Sequence, residues 1–474
     1  MNGVIVGINE SVDRRNNIYY VLSMREKDAG LRKMKSDFVL DIGSSINAEV
    51  SAGIIGMGEG NASEYNKYAR TLDAFVRKKV KTRISNRGRK ELDKLTKSMG
   101  KKLMEAAYLI ARKLLAAAPI LVRFHNDADG SSGAYSMYMA MESFVRKNNI
   151  DGPKTHWKMH RSVKYSKEDA LADISMSRRV VSAEKPLLLI IDFGTAEESN
   201  EGYEMIRNIF DIVWLEHHPI NGILKFADLP HYINPWNFDG DSNYTAGYLA
   251  CELSRYLADI DNECEENASL FGDHSIYAID DRCGRDLSIL LDLLTSDKSI
   301  AFADYDNSLT PSDIYKIISD KKKTQELVAY ANARMEEMIA HSMKIIKVIN
   351  IGDADVFVLD FAKIREGSEN KYPLPGRFST RLLDHIEAAV NKQSILLLTF
   401  SKYISIRIGS KLRDKIDLNE VIREVSRLGD RVESGGGHKS AGSIKIKEDS
   451  DKNALMNELI SVIADRVKGA LYES

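Results

Sequence analysis

The sequence predicts an α/β protein: a parallel-sheet domain followed across a cleft by a smaller α/β domain, with a β-rich and helical extension ahead of both. Three observations carry this reading. PILVRF (119–124), LLLIIDF (187–193) and DIVWLEHH (211–218) are apolar runs that pass abruptly into polar residues, as buried parallel strands do. Helical stretches separate these runs, so the chain alternates strand and helix. Beyond Ile349 strand-like runs return as DVFVLDF, SILLLTF, YISIRIG and GSIKIKE, again with helices between them.

From the N-terminus, GVIVGI, NIYYVLSM, DFVLDI and INAEV read as short strands punctuated by Asn, Asp and Gly. Residues 1–60 therefore suit a small barrel, of the kind oligonucleotide-binding folds use. Residues 61–115 turn helical and strongly basic: twelve Lys and Arg fall between Arg77 and Lys102, opposed only by Glu91 and Asp93. Such a run is either a solvated face or a contact for a phosphate backbone. The parallel-sheet domain occupies 116–305, connecting helices 306–346, and the second α/β domain 347–474.

The chain's 474 residues exceed one ordinary domain, and 43% hydrophobic content excludes a disordered chain. With 67 basic against 69 acidic residues there is no whole-chain field for a nucleic acid or a membrane, so any such contact needs a local patch. The three cysteines, Cys251, Cys264 and Cys283, form no CxxC pair, which fits a reducing cytoplasm and argues against a zinc ribbon or disulfide scaffold. No stretch reads as a signal peptide or a membrane span. The expected location is cytoplasmic.

Chemistry-bearing side chains gather where the apolar runs end. PILVRF leads into His125, Asn126, Asp127, Ala128, Asp129 and Gly130; two carboxylates and an imidazole on one loop can hold a hard divalent ion. Taken alone, DADG is a fragment of a calcium loop or, more readily, a polar turn, because short motifs recur by chance. LLLII leads into Asp192, and DIVWL into Glu216, His217 and His218. Asp280 and Asp281 follow the apolar IYAI. Any one of these is an ordinary cap or turn; four at one sheet edge are hard to explain structurally, because that edge is where such sheets bind ligands. In the second domain Gly435, Gly436, Gly437 and His438 read either as an anion-binding nest of backbone N–H groups or as a helix C-cap and turn. Arg407 either reaches the same anion or solvates the sheet surface.

The order HNDADG, Asp192, Glu216-His217-His218, Asp281 and GGGH resembles the DHH phosphoesterase superfamily. With the DHH-associated C-terminal domain, the resemblance is to RecJ-like single-strand exonucleases of the archaeal type, from about residue 115 to the C-terminus. It implies a metal-dependent exonuclease that hydrolyses single-stranded DNA or RNA from an end, using two divalent ions, manganese before magnesium. His125, Asp127 and Asp281 would hold one ion, Asp129 and His217 the other, with Asp192 bridging and His218 facing the scissile phosphate. Gly435, Gly436, Gly437, His438 and Arg407 would clamp a terminal nucleotide. Glu216 stands where the name-giving motif has aspartate, and Asp281 is chosen over Asp280 from the fit of YAIDD. Relatives also imply two other roles: a scaffold in an archaeal replicative helicase beside the GINS assembly, and a phosphodiesterase for short oligonucleotides or cyclic dinucleotides.

Overall fold

The computed structural model describes residues 2–12, 18–26, 31–36, 45–47, 74, 76, 77 and 80, and then the chain from 90 to 472 apart from 149, 151–154, 179–180, 183, 221, 297–308, 366–371 and 391. The chain divides into two compact units, the first Met1–Thr295 with Ala301–Thr324 and the second Gln325–Ser474 with Ser296–Ile300.

The N-terminal strands β1 (Asn2–Val12), β2 (Ile18–Glu26), β3 (Leu31–Ser36) and β4 (Ser45–Asn47) form an antiparallel sheet in the order β3-β2-β1-β4. A two-residue strand from the next domain, β7 (Val181–Ser182), also pairs with β1. Among the described residues no pairing joins β3 to β4, so nothing there closes the expected small barrel. The run DFVLDI and most of the basic stretch before Lys90 lie outside the described residues. The rest of the basic stretch lies on helix α1 (Lys90–Leu115).

The main sheet is wholly parallel. Its strands are β5 (Ile120–His125), β6 (Thr155–His160), β8 (Leu187–Ile191), β9 (Asp211–Leu215) and β10 (Tyr232–Ile233), in the order β10-β9-β8-β5-β6. Every residue of β8 is buried, which is why it reads as a continuous apolar run. On one face Leu188, Ile190, Trp214, Phe226 and Tyr232 form a core in which the Trp214 and Phe226 rings stack at 4.0 Å. Gly194, at φ +109°, is obligatory there, because a Cβ would collide with the Trp214 ring.

Elsewhere in the same unit pack α2 (Ala128–Lys147), α5 (Ala246–Leu257) and α6 (Glu263–Gly272). Helix α2 meets α5 so closely that a Cβ on Gly133 would lie 2.8 Å from Gly247 Cα. On the opposite side are α3 (Lys167–Ser177) and α4 (Ser199–Ile206), packed on each other. Arg123, buried in β5, is neutralised by Asp173 at 2.6 Å and Asp169 at 3.1 Å from α3. Helix α7 (Arg282–Ser296) is joined to α6 by a disulfide between Cys264 and Cys283. The sequence reading argued against a disulfide scaffold and named no pair: a separation of 19 residues makes no recognisable motif, yet successive helices bring the two Cα atoms to 5.4 Å. Cys251 stays free and buried.

After α8 (Pro311–Ser319), which starts with a Thr310–Asp313 capping box, comes the long α9 (Lys321–Ile345). The second unit holds a six-stranded sheet ordered β11-β12-β13-β14-β16-β15. The ranges are β11 (Lys347–Asn350), β12 (Ala354–Asp360), β13 (Gln393–Thr399), β14 (Tyr403–Ile408), β15 (Val432–His438) and β16 (Ala441–Ile446). Only β12 and β13 run parallel. One face packs on α9 and α10 (Pro375–Ala389), the other on α11 (Leu418–Leu428) and α12 (Lys452–Tyr472). Among the described residues no helix is long and apolar enough to cross a membrane.

Candidate metal centre

Strand register sets the site. Phe124 pairs with Ile191 and Ile191 with Leu215, so the residues just beyond them, His125, Asp192 and Glu216, stand side by side at the carboxyl edge. In chain order the strands lie 2-1-3-4-5, and the order reverses between β5 and β8. Ligands of doubly wound sheets bind at that switch point. His125 and Asp192 flank it.

Asp192 has a left-handed backbone, φ +68°, uncommon for a residue with a side chain and a mark of sites that hold a group in a set direction. Its side chain is 1% exposed. Oδ2 faces His125 Nδ1 at 3.5 Å, and Oδ1 faces His217 Nε2 at 3.3 Å and His218 Nδ1 at 3.9 Å. Neither oxygen has a hydrogen bond of ordinary geometry. A buried carboxylate in that state carries a heavy desolvation penalty unless a cation joins it.

The HNDADG segment delivers its residues through the start of α2. Asp127 caps the helix, accepting from Gly130 N at 3.0 Å, while its other oxygen lies 2.6 Å from His125 Nδ1. Gly130 is needed for close approach, since a Cβ there would sit 2.7 Å from the His125 backbone. Asp129, one residue into the helix, is fully buried. Its carboxylate accepts from Gly247 N at 2.8 Å and Ala246 N at 3.0 Å, both at the N-terminus of α5, and from the Ser269 hydroxyl. A helix N-terminus favours the negative charge, and the bonds fix the carboxylate's direction.

Glu216 serves the pair that follows it. Fully buried, its Oε2 accepts from His217 N at 2.7 Å and His218 N at 2.9 Å, and lies 3.0 Å from His218 Nδ1. The longer carboxylate thus closes a loop around its own successors and orients His218, whose side chain is 37% exposed. His217 Nδ1 donates to Ser242 O at 2.8 Å, which turns Nε2 toward the acids.

Those acids include one that sequence reasoning missed. Asp273, just beyond α6, sits 3.2 Å from His217 Nε2, with Asp129 on the same nitrogen at 3.7 Å. Asp281 is not brought into the group. The segment after Asp273 is a loop rather than a strand end, and Asp281 caps α7, accepting from Gly284 N at 2.8 Å and from the Asn267 amide. Asp280 is 83% exposed and pairs with Arg285. The donor atoms fall into three overlapping groups, each within 4.8 Å: His125, Asp127 and Asp192; Asp192, His217 and His218; Asp129, His217 and Asp273.

The electrostatics divide the acids: against burial, His125 and His217 hold Asp192 well below the usual carboxylate range and His217 holds Asp273 below it, whereas Asp127 and Asp129 rise. Burial, then repulsion from Asp192 and Asp273, pushes Asp129 well above the usual carboxylate range. Burial likewise raises Asp127. Burial alone would lower both histidines, but Asp127 outweighs it at His125, and Asp192 and Asp273 outweigh it at His217, so both rise well above the ordinary imidazole value. Four carboxylates and three imidazoles competing for protons in one buried space suit divalent ions held by mixed oxygen and nitrogen donors.

In the second unit the GGGH segment is neither loop nor helix cap but the edge strand β15. Glycine is required by close packing: a Cβ on Gly435 would lie 2.8 Å from Ile422, and one on Gly437 would overlap Ala441 and Gly442. Gly436 faces open space. Ala441 of β16 pairs with His438 on one side and Arg407 of β14 on the other, so the arginine and the glycine strand share one corner of the sheet. Arg407 is anchored by Ser379 Oγ at 3.0 Å and Gly376 O at 3.3 Å.

No protein-family model matches the sequence. An uncharacterized protein of Methanocaldococcus jannaschii is 24% identical over 438 residues, covering 79% of this chain. The match takes in 56% of that protein, so the chain spans about half the length of the curated relative it matches. Among solved structures, the DHH domain of a protein described as a member of the S1p family of ribosomal proteins superposes with a TM-score of 0.71 at 20% identity, covering 85% of this chain and 98% of that one. RecJ of Thermus thermophilus, in complex with Mn2+, superposes with a TM-score of 0.49 at 14% identity, covering 84% of this chain and 59% of that one. The chain shares the fold of the DHH-domain proteins.

Proposed function

We propose that the protein is a metal-dependent phosphodiesterase that removes nucleotides from an end of single-stranded DNA or RNA. The observation that carries the reading is Asp192: a buried carboxylate whose two oxygens lack ordinary hydrogen bonds and face His125 on one side and His217 on the other. His125, Asp127 and Asp192 would hold one divalent ion, and Asp192, Asp129, His217 and Asp273 a second. Asp273 adds a carboxylate beside Asp129 and His217, whereas the sequence reading had placed Asp281 with His125 and Asp127.

When bound, such ions activate water at neutral pH and neutralise charge on the phosphate under attack, with manganese the favoured occupant and magnesium the alternative. The chain's own residues do the positioning. Glu216 holds Nδ1 of the partly exposed His218, which would leave the other ring nitrogen for a phosphate oxygen. The α5 N-terminus keeps the Asp129 carboxylate directed at its neighbours. In the second unit Arg407 and the Gly435–Gly436–Gly437–His438 strand would bind the terminal nucleotide.

The test is digestion of end-labelled single-stranded DNA and RNA with manganese, beside Asp127→Ala. Progressive loss from one end that the variant lacks is the expected result, and it also gives polarity and sugar preference. Retained metal-dependent cleavage in the variant would overturn the site assignment.

A further inference from the structure

The segment behind the histidine pair ends in features that the metal centre does not use. After β10 the chain makes a short 3-10 turn, Pro235–Phe238, in which Trp236 is 44% exposed. Its indole N–H points inward, toward His217 O at 3.1 Å and Ser242 Oγ at 3.2 Å, and Ser242 Oγ itself donates to His217 O at 2.8 Å. The ring is thus held in one orientation by the backbone of a candidate metal ligand while much of its surface meets solvent.

The next residue, Asn243, extends the same arrangement to a second loop. Asn243 O accepts from Ser275 Oγ at 2.7 Å, and Asn243 Oδ1 accepts from Ile276 N at 3.1 Å. Ile276 is 71% exposed and lies three residues beyond Asp273. Tyr244 and Tyr277 fasten the two loops again, their hydroxyls 3.1 Å apart. Beside Trp236 on the same turn, the Phe238 ring has the Lys102 ammonium at 5.7 Å from its centroid. A partly exposed indole and an exposed aliphatic side chain, both tied to residues next to the candidate ligands, stand with the Lys102 ammonium, which also donates to Tyr232 O at 3.3 Å; together they supply a stacking surface and a positive charge, the two components of single-strand binding.

We propose that Trp236 and Ile276 form a nucleobase shelf, with the Trp236 ring stacking on a base adjacent to the phosphodiester at the metal centre. This rests on the functional reading above and narrows it. The substrate must carry bases near the cleaved bond, so inorganic polyphosphate and bare phosphate esters are poor ligands. Stacking tolerates any base, so the shelf imposes a need for a base without a sequence preference.

Two measurements on the full chain test it together. Anisotropy of a labelled single-stranded hexanucleotide, with Ca2+ in place of Mn2+ to prevent turnover, is compared with that of the same hexamer made abasic at its two outermost positions at each end. Hydrolysis of both is followed in Mn2+. Wild type should bind the intact hexamer about tenfold more tightly than the abasic one. Trp236→Ala should erase the difference, and Trp236→Phe, which keeps a ring but loses the indole N–H, should retain most of it. Equal binding of the two hexamers by wild type would overturn the shelf, as would a Phe variant as impaired as the Ala variant, which would make the indole a structural latch. Base-dependent binding without hydrolysis leaves the shelf standing and removes the catalytic reading. Hydrolysis indifferent to the bases does the reverse, and absence of both removes both.

Discussion

His217 Nε2 lies 3.3 Å from Asp192 Oδ1 and 3.2 Å from Asp273 Oδ2, while the opposite ring nitrogen donates to a backbone carbonyl. That carbonyl can only accept, so Nδ1–H donates to it in either protonation state; without metal, the raised His217 value places a second proton on Nε2, facing the carboxylates. The arrangement is repulsive unless a cation sits among them. A proton supplies one positive charge; a divalent ion supplies two and satisfies several donors at once. The strand-end cluster can therefore hold a metal ion.

Asp273 and Asp281 should separate cleanly by mutation. Asp273→Asn is expected to weaken manganese binding at least tenfold while leaving the melting temperature of the metal-free protein within a few degrees of wild type. Asp281→Ala should do the converse, removing the α7 cap at a cost of about 1 kcal/mol with manganese affinity unchanged. Calorimetric titration and thermal melts of both variants decide it; a metal-binding defect confined to Asp281→Ala would restore the sequence-based choice.

Gly247 should be intolerant of any side chain. A Cβ there would stand 2.7 Å from Asp129 Oδ1 and overlap the Asp129 backbone carbonyl. Gly247→Ala should cost about 1–3 kcal/mol through overpacking and lower manganese affinity about tenfold, because the displaced group is a candidate ligand. Wild-type affinity with a wild-type melting temperature would mean that α2 and α5 are not packed as described.

Glu265, on α6 and 8% exposed, gives a pH signature independent of metal. Burial, the dominant influence, pushes its carboxyl up from 4.5 to about 7. A folded-state value above the unfolded one favours the neutral form, so stability is full below pH 4.5 and is lost as pH rises toward 7. The loss comes to about 3 kcal/mol. Glu265→Gln should therefore melt above wild type at pH 8, and the gap should close at pH 4.5. A gap that stays constant with pH would refute the burial argument.

How much of this was legible in the sequence depended on what each residue type reveals along a line. His125, Asp192 and Glu216 could be placed because β5, β8 and β9 are buried, apolar and short, so each ends in an unmistakable polar step. Asp273 has no such step, because it follows a helix whose start is acidic, and only packing carries it to His217. The apolar IYAI run misled, since Ile276 and Ile279 are both exposed on a loop. The GGG strand was hidden because glycine advertises turns, whereas here it permits β15 to lie close against Ile422 and Gly442. Trp236 carried no signal of its own: its orientation depends on hydrogen bonds to His217 O and Ser242 Oγ that only the folded turn brings together.

The central claim is that Asp192 joins two ion sites. The measurement that tests it most directly is manganese titration of the metal-free protein, monitored by calorimetry and by electron paramagnetic resonance. Two ions per chain with a spin-coupled signal, reduced in Asp192→Asn to at most one uncoupled ion, is the result the geometry predicts. A single uncoupled ion in wild type, or an unchanged coupled pair in Asp192→Asn, would contradict it.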